Sequence, residues 1–366
     1  MSYAALAAKT LIVGIPTTEV DATARRVVAD LSVGGVILFR RNIVTPEQTH
    51  GLIASLRALR KTPLLLAVDQ EGGRVQRLRT PLTEFPPMRA IGEAQPHIAK
   101  EVGAQLAREL LAVGFDLDFA PVVDVDTNPD NPVIGDRSFG RTPEIVSKLA
   151  VALIEGMQSA GMMACAKHFP GHGDTLEDSH KDLPSLPHDL ERLRRVEWPP
   201  FAATAKAKVA TIMTAHVMFP ALDPIWPATM SATCLAALRK EIGFEGAIIS
   251  DDLEMKAIAD RYELGAAAVQ SIAAGCDSLL VCHTLSRIEA SIEAIAKEAE
   301  KSVSFRARLS EAAARVDTLL ARVPAHAATY KPAAAPSGEL AAWMTARKQQ
   351  AKLVDPTEVP AALGRA

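Results

Sequence analysis

From Met162 to Phe169 the chain reads MMACAKHF, and from Pro170 to Pro184 it continues PGHGDTLEDSHKDLP. The first segment is a short, almost continuous apolar run, the pattern of a strand buried on both faces. The second is so rich in Gly, Pro and titrating groups that it predicts a loop. Seven further runs of the same kind recur: TLIVGI from Thr10, GGVILF from Gly34, LLLAVD from Leu64, FDLDFAPV from Phe115, ATIMTAHV from Ala210, GAIISDD from Gly246 and DSLLVC from Asp277. Between them lie stretches with helical periodicity, such as Leu149, Leu153, Ile154 and Met157, or Phe305, Leu309, Ala312, Val316 and Leu319. Alternation of buried strands with amphipathic helices predicts an α/β fold with a parallel sheet covered by helices.

Eight strands within roughly 280 residues fit a single (β/α)8 TIM-type barrel, whose usual size is about 250 residues. A doubly wound open sheet is the runner-up, but no GxGxxG opens an early helix and no GxxxxGK[ST] loop occurs. The barrel also gives meaning to the polar clusters Asp69 to Arg77, Asp124 to Arg137, Lys167 to His180, His216, and Asp251 to Glu254. Each follows an apolar run, and a barrel gathers the C-terminal ends of all its strands on one face. The expected organisation is a barrel over residues 1–325 and an Ala-rich C-terminal tail over 326–366, with one short helix around Leu340 to Lys352.

The chain has 366 residues, 48% of them apolar, which supplies a sizeable core. No apolar run approaches the roughly 18 residues of a membrane span. The opening MSYAALAAKTLIVGIP lacks a secretory layout, so a cytoplasmic protein is expected, with no membrane partner. A net charge of -3 with both signs interspersed gives no basic stripe for nucleic acid. The four cysteines are widely spaced without metal-ligand spacing and read as reduced, buried thiols. A monomer or weak homo-oligomer is expected.

Four of the nine histidines lie between His168 and His188, so chemistry should concentrate there. Asp178 and His180 are two apart, close enough in a turn for the carboxylate to orient the imidazole as a proton-transfer group. The same loop offers His168, His172, Asp174, Asp178 and His180 as metal ligands, a rival reading that lacks an HExxH or facial-triad pattern. DVDTNPDNPVIG from Asp124 starts like a calcium loop, but Pro129 and Gly135 stand where that loop needs glycine and glutamate. Asp251 emerges at a strand end and suits a nucleophile; alternatively it or Asp252 caps the following helix. Asp69, Arg77 and Arg137 supply charged donors and acceptors for a hydroxyl-rich ligand. Serine-nucleophile chemistry finds no GxSxG motif.

Together KHFPGHGDTLEDSHKDLP, DQEGGRVQRL, GGVILFRRN, GDRSFGRTPE, TAHVMFP and IISDDLEM resemble the β-N-acetylhexosaminidases of glycoside hydrolase family 3, in particular the single-domain NagZ type of peptidoglycan recycling. The resemblance runs from Leu11 to Val323. It implies a retaining hydrolase that removes terminal β-linked N-acetylglucosamine from 1,6-anhydro-N-acetylmuramyl saccharides or muropeptides, with no cofactor and no metal. It puts the nucleophile on Asp251, the general acid/base on His180 and its orienting partner on Asp178. It puts substrate binding on Asp69, Arg77, Arg137, Lys167 and His168. A phosphorylase of the same fold, a metal-dependent hydrolase and an inactive sugar-binding module stay as alternatives.

Overall fold

The eight apolar runs become eight parallel strands of one closed barrel in the computed structural model, which describes residues 2–176, 182–323 and 329–347. In chain order they are β1 Leu11–Gly14, β2 Gly35–Ile37, β3 Leu65–Val68, β4 Leu117–Asp118, β5 Met163–Phe169, β6 Thr211–Thr214, β7 Ala247–Asp252 and β8 Ser278–Val281. Each strand pairs with its sequence neighbours, and β1 closes the ring on β8 with Leu11 opposite Leu279 and Val13 opposite Val281. The run from Phe115 forms a shorter strand than its length suggests. Pro121 has no N–H for the ladder, and pairing resumes only as an isolated bridge between Val122 and Lys167.

Alternation along the strands sorts side chains into two packed layers. Ile12, Ile37, Leu65, Ala67, Leu117, Met163, Cys165, Met213, Ala247, Ile249 and Leu280 fill the barrel interior. Leu11, Val13, Leu66, Val68, Ala164, Ala166, Ile212 and Ile248 point outward into the layer shared with the helices. Continuing the inward parity by two residues carries β3 to Asp69, β5 to Lys167 and β7 to Asp251. Those three groups therefore arrive at the barrel mouth by strand geometry alone.

The helices start where the sequence supplies caps. Thr45 and Thr142 accept N–H groups ahead of Pro46–Ala58 and Pro143–Ser159, each with Pro at its start, and Ser302 caps Val303–Leu320. Pro96–Val113 and Pro143–Ser159 approach closely through reciprocal glycines. A Cβ on Gly103 would stand 2.2 Å from the Leu153 carbonyl oxygen, and one on Gly156 would stand 2.0 Å from that of Lys100. Helix Gly338–Thr345 packs on this outer layer: Leu340 and Met344 are buried in the core, and Gln105 Nε2 donates to the Ala334 carbonyl at 2.8 Å.

At the end of the barrel opposite the mouth, Leu319 of Val303–Leu320 enters the interior cluster. Beside it the fully buried Asp277 accepts from Arg239 at 2.5 Å, Arg308 at 2.6 Å, Arg315 at 3.2 Å and the Ile248 N–H at 2.9 Å. This carboxylate ties the start of β8 to β7 and to two helices. Asp277→Ala is expected to destabilise the protein by about 3 kcal/mol, because it leaves a partly buried arginine group without its counter-charge. A shift of the urea midpoint to lower concentration at constant m-value checks this; an unchanged midpoint would show that the arginines find other partners.

Candidate active site

Two residues past β3 the chain turns into a hairpin, Gln70–Gly72 paired antiparallel with Val75–Gln76. Asp118, at the end of β4, anchors it by accepting the Gln70 N–H at 2.8 Å. The hairpin lifts Glu71 above the mouth, next to Asp69. Arg137 grips Glu71 with two parallel bonds, Nε to Oε2 and Nη2 to Oε1, both 2.8 Å. Lys167 Nζ lies between the two acids, 2.7 Å from Glu71 Oε1 and 2.9 Å from Asp69 Oδ1, and Arg77 Nη2 reaches Asp69 Oδ2 at 3.4 Å. Burial works against the charges of Glu71, Lys167 and Arg137, yet Arg137 and Lys167 hold the Glu71 carboxyl well below its ordinary range. In return, Asp69 and Glu71 raise Lys167, and Glu71 raises Arg137, despite the same burial. The five groups form a fixed lattice of alternating charge.

Beside it stands a second buried pair. His168 donates from Nδ1 to Asp124 Oδ2 at 2.8 Å, and Asp124 also accepts the His172 backbone N–H at 2.8 Å. Burial opposes the Asp124 charge, but the two histidines lower its pKa overall. His172, edge-on to His168 at 5.8 Å, is pushed down to about 4 by burial and by its neighbour, so its imidazole is neutral at neutral pH. Among the described residues this histidine wall is held by protein carboxylate and hydroxyl groups.

Asp251 is half-buried at the end of β7, and its Oδ1 accepts the Asp252 N–H at 2.8 Å. His216, fully buried after β6, lies with Nε2 3.0 Å from the Asp252 carbonyl, which can only accept, so this nitrogen carries the proton. Neither aspartate caps the next helix: Lys256–Ala259 begins after Met255 without a side-chain cap, and Asp252 Oδ1 instead accepts the Glu254 N–H. The sequence assigned capping by proximity alone. The strand runs on to Asp252 and the turn intervenes before the helix.

Asp178 and His180 lie outside the described residues. The limbs on either side of them are pinned. Thr127 donates to Asp174 at 2.8 Å, Asn131 donates to the His172 carbonyl at 2.9 Å, and Ser185 bridges in parallel to Met218. Arg261, on the segment after β7, reaches Asp182 at 2.5 Å. At the base, His188 Nε2 is 3.0 Å from Asp174 Oδ2, and Arg192 contacts both Asp174 and Glu197. Gly171, at φ +138°, leaves room for Glu197, whose Cγ would lie 2.7 Å from a Cβ there.

Asp69, Arg77, Arg137, Lys167 and His168 thus converge on the mouth, on the arc β3 to β5, with Asp251 across the ring on β7. Reading the sequence missed Glu71, Asp124 and Glu197 as parts of this site. Glu71 carried a usable signal, since it stands two residues from Asp69. Asp124 was visible at the head of a strand-end polar cluster and of a failed calcium loop but without its histidine partner, and Glu197 gave no local sign.

The family described as "Glycosyl hydrolase family 3 N terminal domain" matches residues 6–319. A Beta-hexosaminidase of Nitrosomonas eutropha is 44% identical over 281 residues, covering 75% of this chain and 80% of the relative. A solved glycoside hydrolase family 3 beta-N-acetylglucosaminidase from Paenibacillus superposes with TM-score 0.89 at 36% identity, over 96% of this chain and 69% of that one. NagZ from Neisseria gonorrhoeae, solved in complex with N-trifluoroacetyl-D-glucosamine, superposes with TM-score 0.71 at 35% identity, over 84% of this chain and 98% of that one.

The base of the loop gives a test that needs no substrate. Glu197 is 4% exposed, and burial, partly offset by Arg192, pushes its carboxyl up to about 7 from 4.5. Below the lower value the group is protonated in both folded and unfolded chains and has no effect. Between the two the unfolded chain ionises first, so this group destabilises the fold increasingly with pH, levelling off above about 7. Glu197→Gln should therefore leave stability unchanged at pH 4 and raise it by roughly 1–3 kcal/mol at pH 8. Equal urea midpoints for the two proteins at pH 8 would contradict this.

Proposed function

The chain belongs to glycosyl hydrolase family 3, and we propose that it is a retaining β-N-acetylhexosaminidase that removes a terminal, non-reducing N-acetylglucosamine. The observation that carries this reading is the inward parity of Asp251 on β7, which sets a half-buried carboxylate on the same mouth as Asp69, Lys167 and His168. Its closeness to relatives bearing the β-hexosaminidase name supports the sugar specificity.

In this reading Asp251 attacks the anomeric carbon while His180, oriented by Asp178, protonates the glycosidic oxygen. The bond to the leaving group breaks and a covalent glycosyl-enzyme forms. Water, giving its proton to His180, then displaces Asp251 with overall retention. A histidine serves both steps because its ordinary pKa lies near neutrality. Asp69, Lys167, His168, Arg77 and Arg137 bind and orient the sugar, and their ion pairs with one another, with Glu71 and with Asp124 fix them before it arrives, so little ordering is left to binding. Glu71 belongs to this set as the acid that positions Lys167 and Arg137. The proposal extends, as the resemblance to the NagZ type implies, to 1,6-anhydro-N-acetylmuramyl saccharides or muropeptides as substrates, in the cytoplasm. No described helix is long and apolar enough to cross a membrane.

Release of p-nitrophenol from its β-N-acetylglucosaminide tests the assignment, with the β-glucoside as control. Asp251→Ala should nearly abolish turnover. His180→Ala should cost about 10²- to 10⁴-fold on unactivated disaccharides and less on the phenolic substrate, whose leaving group needs little protonation. Equal damage on both leaving groups would make His180 structural. A sugar 1-phosphate formed in phosphate buffer would turn the reading to a phosphorylase, and loss of activity with EDTA would turn it to metal chemistry.

A further inference from the structure

Where β7 delivers Asp251, the regular ladder gives out on both sides. Toward β6 the parallel pairing runs Thr211 to Ala247, Ile212 to Ile248 and Met213 to Ile249, and stops there. Toward β8, Ser278 pairs with Ile249 but Leu280 pairs with Asp252, two steps along β8 against three along β7. The extra residue on β7 is a bulge, which disrupts the ladder locally and bends the strand. The Leu280 N–H turns instead to the Ser250 hydroxyl at 3.0 Å. Asp251 therefore stands in a stretch that ladder bonds alone do not fix.

His216 supplies a link from β6. It stands two residues beyond Thr214, the last of that strand, is fully buried, and has no part in the reaction steps above. Its Nε2 donates to the Asp252 carbonyl at 3.0 Å, and the Met255 N–H donates to the same oxygen at 3.0 Å, which closes the turn that follows Asp251. From β8 the turn is held through Glu254, which accepts the N–H groups of His283 and Thr284. On the other edge of the ring, His216 Nδ1 is 2.8 Å from the Thr229 hydroxyl, itself 2.8 Å from that of Thr214 and 3.0 Å from the Ala215 carbonyl. Thr229 has one proton to give. A neutral ring takes it on Nδ1; an imidazolium donates from Nδ1 to Thr229, whose proton then goes to Ala215. Nε2 keeps its proton, and its bond to Asp252, in both forms.

We propose that His216 is a positioning residue for Asp251, its Nε2 standing in for the β6 ladder that the bulged end of β7 lacks. The proposal rests on the reading of Asp251 as nucleophile. A carboxylate that attacks a carbon and later leaves it must hold its place through both steps, and a misplacement of about 1 Å costs on the order of 10²-fold in rate. An imidazole held at both nitrogens and fully buried carries the fixed position of β6 over to the turn beside Asp251.

Steady-state kinetics of the full-length protein test this on the p-nitrophenyl β-N-acetylglucosaminide and on an unactivated N-acetylglucosaminyl disaccharide, with N-acetylglucosamine as competitive inhibitor. His216→Leu should lower kcat/KM about 10- to 100-fold, equally on both substrates, because attack is impaired and leaving-group protonation is not. The inhibition constant of N-acetylglucosamine should stay within about twofold, since the groups that clamp the sugar are untouched. His216→Gln, which still offers a nitrogen donor to the Asp252 carbonyl, should recover most of the rate. Thr229→Val should lose about fivefold, the worth of one neutral hydrogen bond. Wild-type rates in His216→Leu, or a His216→Gln no better than His216→Leu, would overturn the role. Damage confined to the disaccharide would overturn it in favour of proton delivery, and an inhibition constant that rises with the loss of rate would overturn it in favour of a direct sugar contact. If His216→Leu fails to fold, Thr229→Val decides by the same criterion: an equal loss on both substrates at an unchanged inhibition constant supports positioning, and any other result overturns it. A wild-type protein inactive on the p-nitrophenyl glycoside would overturn the hexosaminidase reading itself. That outcome is distinct from an active wild type whose variants are unimpaired, which would overturn the positioning role alone.

Discussion

The buried carboxylate of Glu71 draws Arg137 from the segment after β4 and Lys167 from the end of β5 into contact at 2.8 and 2.7 Å, while the hairpin that carries it follows β3. Three neighbouring strands are thereby tied at their C-terminal ends by one group. A carboxylate this buried would favour its neutral form, and only the two cations keep it ionised. The cations would in turn be costly to bury without it. Each charge is tolerable only because the others are in place, so the lattice is assembled as a unit or not at all. That mutual dependence makes the mouth rigid where a sugar ring would have to be held in one orientation.

Strand alternation is what aims the lattice. Because Asp69, Lys167 and Asp251 each stand two residues beyond an interior-facing position, their side chains enter the same space from strands on both sides of the ring. The helices outside and the buried Asp277 at the far end close the barrel, but they do not choose what the mouth contains. The two halves of the rim then differ in character. On the β3 to β5 arc, positive charges are neutralised by Asp69, Glu71 and Asp124. On the arc from β7 through β8 to β2, Arg41 rests on carbonyls and an aromatic ring. A ligand lying across the mouth meets carboxylate-paired cations on one half and, on the other, Asp251 and Asp252 together with Arg41.

The loop between Gly171 and His188 is anchored from its base. Its described limbs are fastened to the segments after β4, β6 and β7, and Asp174, His188, Arg192 and Glu197 gather beneath it. Glu197 in this cluster stays neutral to about pH 7, which spares the site another buried negative charge beside Asp174.

The barrel was legible in the chain, because each strand is buried on both faces and so must be a continuous apolar run, a property that local composition records directly. The same runs put Asp251, Asp69, Lys167 and His168 at the barrel mouth, because these polar groups stand at the C-terminal ends of such runs. The hairpin after Val68, the role of Glu71, the hold of Asp124 on His168 and the fastening of Arg41 were decided by tertiary structure. Glu71 meets Arg137 across 66 positions and Arg41 meets Cys282 across 241. Which cation a carboxylate takes depends on distances that exist only once the ring has closed, since charge pairing has no periodicity to leave in the chain, whereas strand burial does.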